Sequence, residues 1–110
     1  MEKRVLVMAE YGVELPLWDR TLGGGPLEQD DLGLSAELVT GLMEWNAVWV
    51  DHRPEEPRTW SSAQEYEWHQ TGYRLAWQLQ SELPEVEVLV RGERGQEVAL
   101  ADAFDRRNRA

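Results

Sequence analysis

The sequence predicts a small α/β (α+β) two-layer sandwich of order β-α-α-β-β, a three-stranded sheet with two helices packed on one face. Three observations predict it. A short valine-led apolar run opens the chain, two long segments with helical period fill its middle, and two strand-like runs around turn residues close it. Three strands cannot hide two faces alone, so both helices are expected on one side. If the first strand and the strand from Val86 lie parallel, the helices form the crossover, which should be right-handed.

The first strand is placed at Arg4 to Ala9 (RVLVMA), about the length of a buried strand. Residues 10–34 follow as a long loop, because prolines and the triplet Gly23-Gly24-Gly25 oppose regular structure over most of that length. Ser35 offers a helix N-cap, and AELVTGLMEWNAVWVDH then places Leu38, Leu42, Trp45 and Trp49 within one narrow arc facing the core. Pro54 and Pro57 end that helix.

Ser62-Ala63-Gln64-Glu65 has the form of a capping box, opening a second helix from about Ala63 to Glu82 that stops before Pro84. Trp68, Gly72, Leu75 and Leu79 line one arc of it, and Tyr66, Tyr73 and Trp77 another. Such a helix is either sandwiched between the sheet and the first helix, or it offers its aromatic arc to a partner. Gly41 and Gly72 each cost about 1 kcal/mol against alanine, which a close helix–helix crossing would offset. VEVLVR, the turn at Gly92 to Gly95 and QEVAL read as a hairpin, with a flexible tail from about 105 to 110.

Length bounds the organisation: 110 residues fit one domain, 1–110. The 42% hydrophobic and 29% charged residues are those of a soluble globular chain, and no apolar run approaches a membrane span. The first residues lack the apolar region and cleavage site of a signal peptide, so a cytoplasmic location is expected. The absence of cysteine removes disulfides, thiolate metal sites and cysteine nucleophiles.

Charge is the strongest compositional feature. Twenty-one acids against eleven bases leave −10. A field of this sign disfavours nucleic acid and anionic membranes, and speeds encounter with a basic protein partner. Glu37, Glu44 and Asp51 recur every seventh residue and form one acidic row on the first helix, extended by Glu28, Asp30 and Asp31 of the loop. A merely solvated face would look the same. Trp18, Asp19 and Trp60 join the candidate partner-binding residues, since loop aromatics beside charges are enriched at binding hot spots. Trp18 could equally tuck the loop over the edge of the core.

Catalytic and cofactor motifs are missing from the residues. Pro26 and the acids after it deny Gly23-Gly24-Gly25 the amides and potential of a phosphate loop, and Glu28 stands where a dinucleotide fingerprint needs glycine. Glu28, Asp30 and Asp31 supply oxygens for calcium, but Gln29-Asp30-Asp31-Leu32-Gly33 is not an EF-hand loop. His52 and His69 stand on different elements without zinc-ligand spacing. No serine sits in a nucleophile elbow. No cofactor, metal or catalytic residue is therefore assigned.

The segments EYGVELPLWD, GLSAELVTGLMEW, GYRLAWQLQSELP and VEVLVR resemble small acidic uncharacterised proteins of actinobacterial type. The resemblance covers most of the chain but implies no site residues, since that group carries no assigned activity. The residues show no close match to an established immunity-protein, antitoxin or adaptor family. On function, the sequence favours a non-enzymatic acidic binding module, most concretely an immunity or antitoxin-like inhibitor of a basic toxin or nuclease, as a monomer or weak homodimer. The alternatives are a small enzyme or ligand-binding domain with a pocket between the 10–34 loop and the sheet, Trp18 and Asp19 at its mouth and Tyr11 lining it, and a domain that self-associates through VEVLVR as an edge strand.

Overall fold

A sheet of order β2-β1-β3-β4 carries two helices on one face. The computed structural model describes residues 3–21, 24–51, 61–91 and 95–103. Its elements are β1 (Arg4–Val7), β2 (Leu17–Asp19), α1 (Gln29–Leu32), α2 (Ala36–Asp51), α3 (Ser62–Glu82), β3 (Glu87–Arg91) and β4 (Glu97–Ala99). β1 runs parallel to β3, with Val5 opposite Val88, so α2 and α3 lie in the crossover between adjacent parallel strands. The other two pairings are antiparallel.

The mixed α+β class holds, with four strands in place of three. The fourth, β2, lies inside the expected loop, and α1 follows it. Three residues are too few to display alternation, and what makes them a strand is the free edge of β1, where Leu6 pairs with Trp18. The outer edge of β2 is closed by its own loop: Asp19 donates to the carbonyl of Gly25 at 3.0 Å and Leu27 to that of Leu17 at 2.8 Å. β1 ends at Val7 instead of Ala9. β3, the VEVLVR run, is interior, so it has no open edge through which to pair with a second copy.

Both helix starts rest on serine. Ser35 Oγ accepts from the Leu38 amide at 3.2 Å, as its N-cap position predicts. The capping box of α3 is shifted by one residue: the Gln64 amide donates to Ser61 Oγ and the Ser61 amide to Gln64 Oε1, at 3.2 and 2.7 Å. Ser61-x-x-Gln64 and Ser62-x-x-Glu65 satisfy the same pattern, so position alone could not choose between them.

The core joins Val5, Val7, Val88 and Val90 of the sheet to Leu38 and Leu42 of α2 and Ala76 and Leu79 of α3. The two helices cross at their glycines. A Cβ at Gly72 would stand 2.7 Å from Trp45 Cζ2, and one at Gly41 would stand 2.9 Å from Leu75 Cδ2. On the other face of the sheet Leu6 and Leu89 are also buried. There Arg4 pairs with Glu87, and Arg20 beyond β2 pairs with Glu97 of β4, a bridge between the outer strands. Among the described residues no helix is long and apolar enough to cross a membrane.

Candidate functional site

The expected contact residues fall into three places. Glu37, Glu44 and Asp51 are all exposed along α2, and none of their side chains has a hydrogen-bond or ion-pair partner among the described residues. Of the three, Glu44 lines the outward groove between α2 and α3. Its volume is about 590 Å³, and its walls include Glu44 and Val48 of α2 and Glu67, Gln70 and Thr71 of α3, over Trp45, Trp68 and Leu75. Val48 is 41% exposed, and Gln70 Nε2 is buried without a hydrogen-bond partner among the described residues.

The loop acids are elsewhere. Asp31 accepts from the Glu28 amide at 2.8 Å, which holds the first turn of α1, so one of the three acids serves its own helix. Glu28 and Asp30 stand with Glu14 around an open hollow of about 470 Å³ between two legs of the loop. Neither Tyr11 nor Trp18 lines it, so the pocket expected between loop and sheet is not the one formed here. Among the described residues no group of three or more His, Asp or Glu is placed to hold a metal ion.

Trp18 and Asp19 belong to β2. The Trp18 indole donates to the Met8 carbonyl at 3.0 Å and its ring is half-buried, while Asp19 Oδ1 accepts from the Thr21 amide at 2.9 Å. Both side chains therefore shape the sheet edge. Trp60, His52 and the tail from 105 lie outside the described residues.

A separate cleft of about 260 Å³ opens at the carboxyl ends of β1 and β3, lined by Trp45, Trp49, Trp68, His69 and Tyr73 among others. Tyr11 packs on Trp49 beside it, with ring centroids 4.6 Å apart. No carboxylate stands among its described lining residues. The two aromatic arcs of α3 are split: Trp68 and Tyr73 pack against the core, whereas Tyr66 and Trp77 are exposed.

Two features escaped the sequence. Asn46, the buried polar residue of the core, takes the Glu10 amide on Oδ1 at 2.9 Å and gives Nδ2 to the Val13 carbonyl at 3.0 Å, fastening the start of the loop to α2. Glu82 at the end of α3 accepts the Ser35 amide at 2.8 Å and its hydroxyl at 2.6 Å. Burial raises the Glu82 pKa, but the bonds from Ser35 and Gln78 outweigh it and leave the carboxyl below its ordinary value. An acidic residue near a helix end signals neither role without the fold.

A model of the family described as Serratia CdiI immunity protein-like matches residues 3–92, from before β1 through the end of β3. The matched span contains both helices and the groove between them. It revises the expectation that no immunity-protein family would match. No curated protein matches the chain.

Proposed function

The chain belongs to the Serratia CdiI immunity protein-like family, and on that premise we propose that it is a non-enzymatic inhibitor that neutralises a basic toxin by stoichiometric binding. The observation that carries the reading beyond the family is the row Glu37, Glu44 and Asp51, exposed and without ion-pair partners among the described residues, with Glu44 lining a partly apolar groove. An inhibitor of this kind needs a rigid charged surface and no chemistry of its own. Two of the described arginines, Arg4 and Arg20, are engaged by Glu87 and Glu97 on the other face of the sheet, and Arg74 of α3, in the groove itself, offsets one of the two groove acids Glu44 and Glu67. Glu28 and Asp30 add negative charge at the separate loop hollow.

Co-expression tests the reading. The reading predicts that a basic toxic domain is encoded beside this chain, stops growth alone and is neutralised with it, and that Glu37→Lys/Glu44→Lys/Asp51→Lys abolishes protection while the protein stays folded. Recovery of no basic neighbour-encoded protein from native cells, together with growth indifferent to deletion of the chain, would sink it. The aromatic cleft favours a second reading as a small ligand-binding domain, tested by titrating tryptophan fluorescence with small aromatic compounds.

A further inference from the structure

The groove between α2 and α3 carries a more specific inference, resting on the reading of the chain as a binder of a basic protein. Its floor is apolar, formed by the Trp45 and Trp68 rings and Leu75, and Val48 adds an exposed aliphatic wall. Its banks carry two acids, Glu44 on α2 and Glu67 on α3, against one arginine, Arg74 on α3, whose guanidinium donates to Thr71 Oγ1. Gln70 Nε2 is a buried donor that lacks an acceptor among the described residues, an unfavourable state that a bound oxygen would relieve.

The geometry points to one occupant: an amphipathic basic helix of the partner, laid along the groove. An aliphatic side chain of that helix would rest on the tryptophan floor against Val48. Lysines or arginines one turn either side would meet Glu44 and Glu67, and a side-chain oxygen would accept from Gln70. Helix-in-groove recognition needs this combination of an apolar anchor row and flanking charge. The excess of acid in the lining, two glutamates to one arginine, selects a basic helix over an acidic one. The loop hollow around Glu14, Glu28 and Asp30 matches the charge, but no aromatic residue stands in its described lining.

The test uses the full chain and a roughly 15-residue peptide of leucine, lysine, alanine and glutamine, long enough to hold a helix with its leucines on one face. An analogue with glutamate for lysine is the control. Nuclear magnetic resonance is expected to show saturable shifts of the Val48 methyls, the Gln70 side-chain amide and the Trp45 and Trp68 indoles, with none from the control. Val48→Ser, at an exposed position, should weaken binding about tenfold or more, as loss of a central apolar contact does. Glu44→Gln/Glu67→Gln should weaken it and flatten its salt dependence. Shifts centred on α1, or binding unchanged by Val48→Ser, would overturn the inference. A parallel arm with the toxin separates the two ideas. Protection and complex formation untouched by Val48→Ser would remove the groove and leave the inhibitor reading standing. A peptide held in the groove with no toxin bound or neutralised would do the reverse.

Discussion

Trp45 on α2 and Trp68 on α3 exchange hydrogen bonds: each indole Nε1 donates to the other residue's main-chain carbonyl, at 2.9 and 3.0 Å, while the rings stack 4.4 Å apart at 8°. The pair clamps the two helices and floors the outward groove on one side and the aromatic cleft on the other. Stacking adds about 0.5–1.5 kcal/mol beyond buried area, and each bond about 1 kcal/mol. Trp45→Phe and Trp68→Phe should therefore each cost about 1–3 kcal/mol. A double-mutant cycle by urea unfolding should show a coupling of about 1 kcal/mol or more, and additive losses would show that the two rings act independently.

The two helix glycines should respond differently to alanine. Alanine gains about 1 kcal/mol of helix propensity at either site. At Gly72 the new methyl meets the rigid Trp45 ring at 2.7, 3.0 and 3.1 Å, and overpacking of this kind costs about 1–3 kcal/mol. At Gly41 it meets only the tip of Leu75, which can rotate away. Thermal unfolding is expected to show a lower midpoint for Gly72→Ala and little change for Gly41→Ala.

Asn46→Ala should free residues 10–13 from α2. It strands a buried amide at Glu10 and a carbonyl at Val13, at about 1–3 kcal/mol for each group that water does not reach. Hydrogen exchange reads this directly, since the Glu10 amide should lose its protection while β1 amides keep theirs. Equal loss across the sheet would mean that Asn46 supports the whole core.

The stability of the α2 start should depend on acidity through Glu82. The folded-state pKa is lowered, so the stabilisation is fully present above the unfolded value of about 4.5 and is lost as pH falls through the depressed folded value. Glu82→Gln should remove that part of the acid sensitivity, because an amide cannot titrate. Chemical denaturation from neutral pH down to acid would detect it as a shallower fall. A variant that loses stability with the same slope as the parent would place the acid sensitivity elsewhere.

Most of the helical layer was legible in the residues. Ser35 as a cap, the buried arc through Leu38, Leu42 and Trp45, and the close approach at Gly41 and Gly72 follow from period and propensity, which act over one or two turns. The acidic row is likewise a helical period, and its three residues emerged exposed. The strand β2 and the half-buried place of Trp18 were not legible, because they depend on the edge that β1 presents and on residues 25–27 returning to close it.

The sequence by itself determined the layered α+β class, the two long helices, the excess negative charge and the absence of a recognisable catalytic motif, since each is local or compositional. Only the tertiary structure decided that Trp45 and Trp68 clasp each other, that Asn46 and Glu82 are fasteners, and that Glu44 of the acidic row lines a partly apolar groove. Each of those joins residues 20 or more positions apart, a separation at which local propensity carries no information and packing alone chooses the partner.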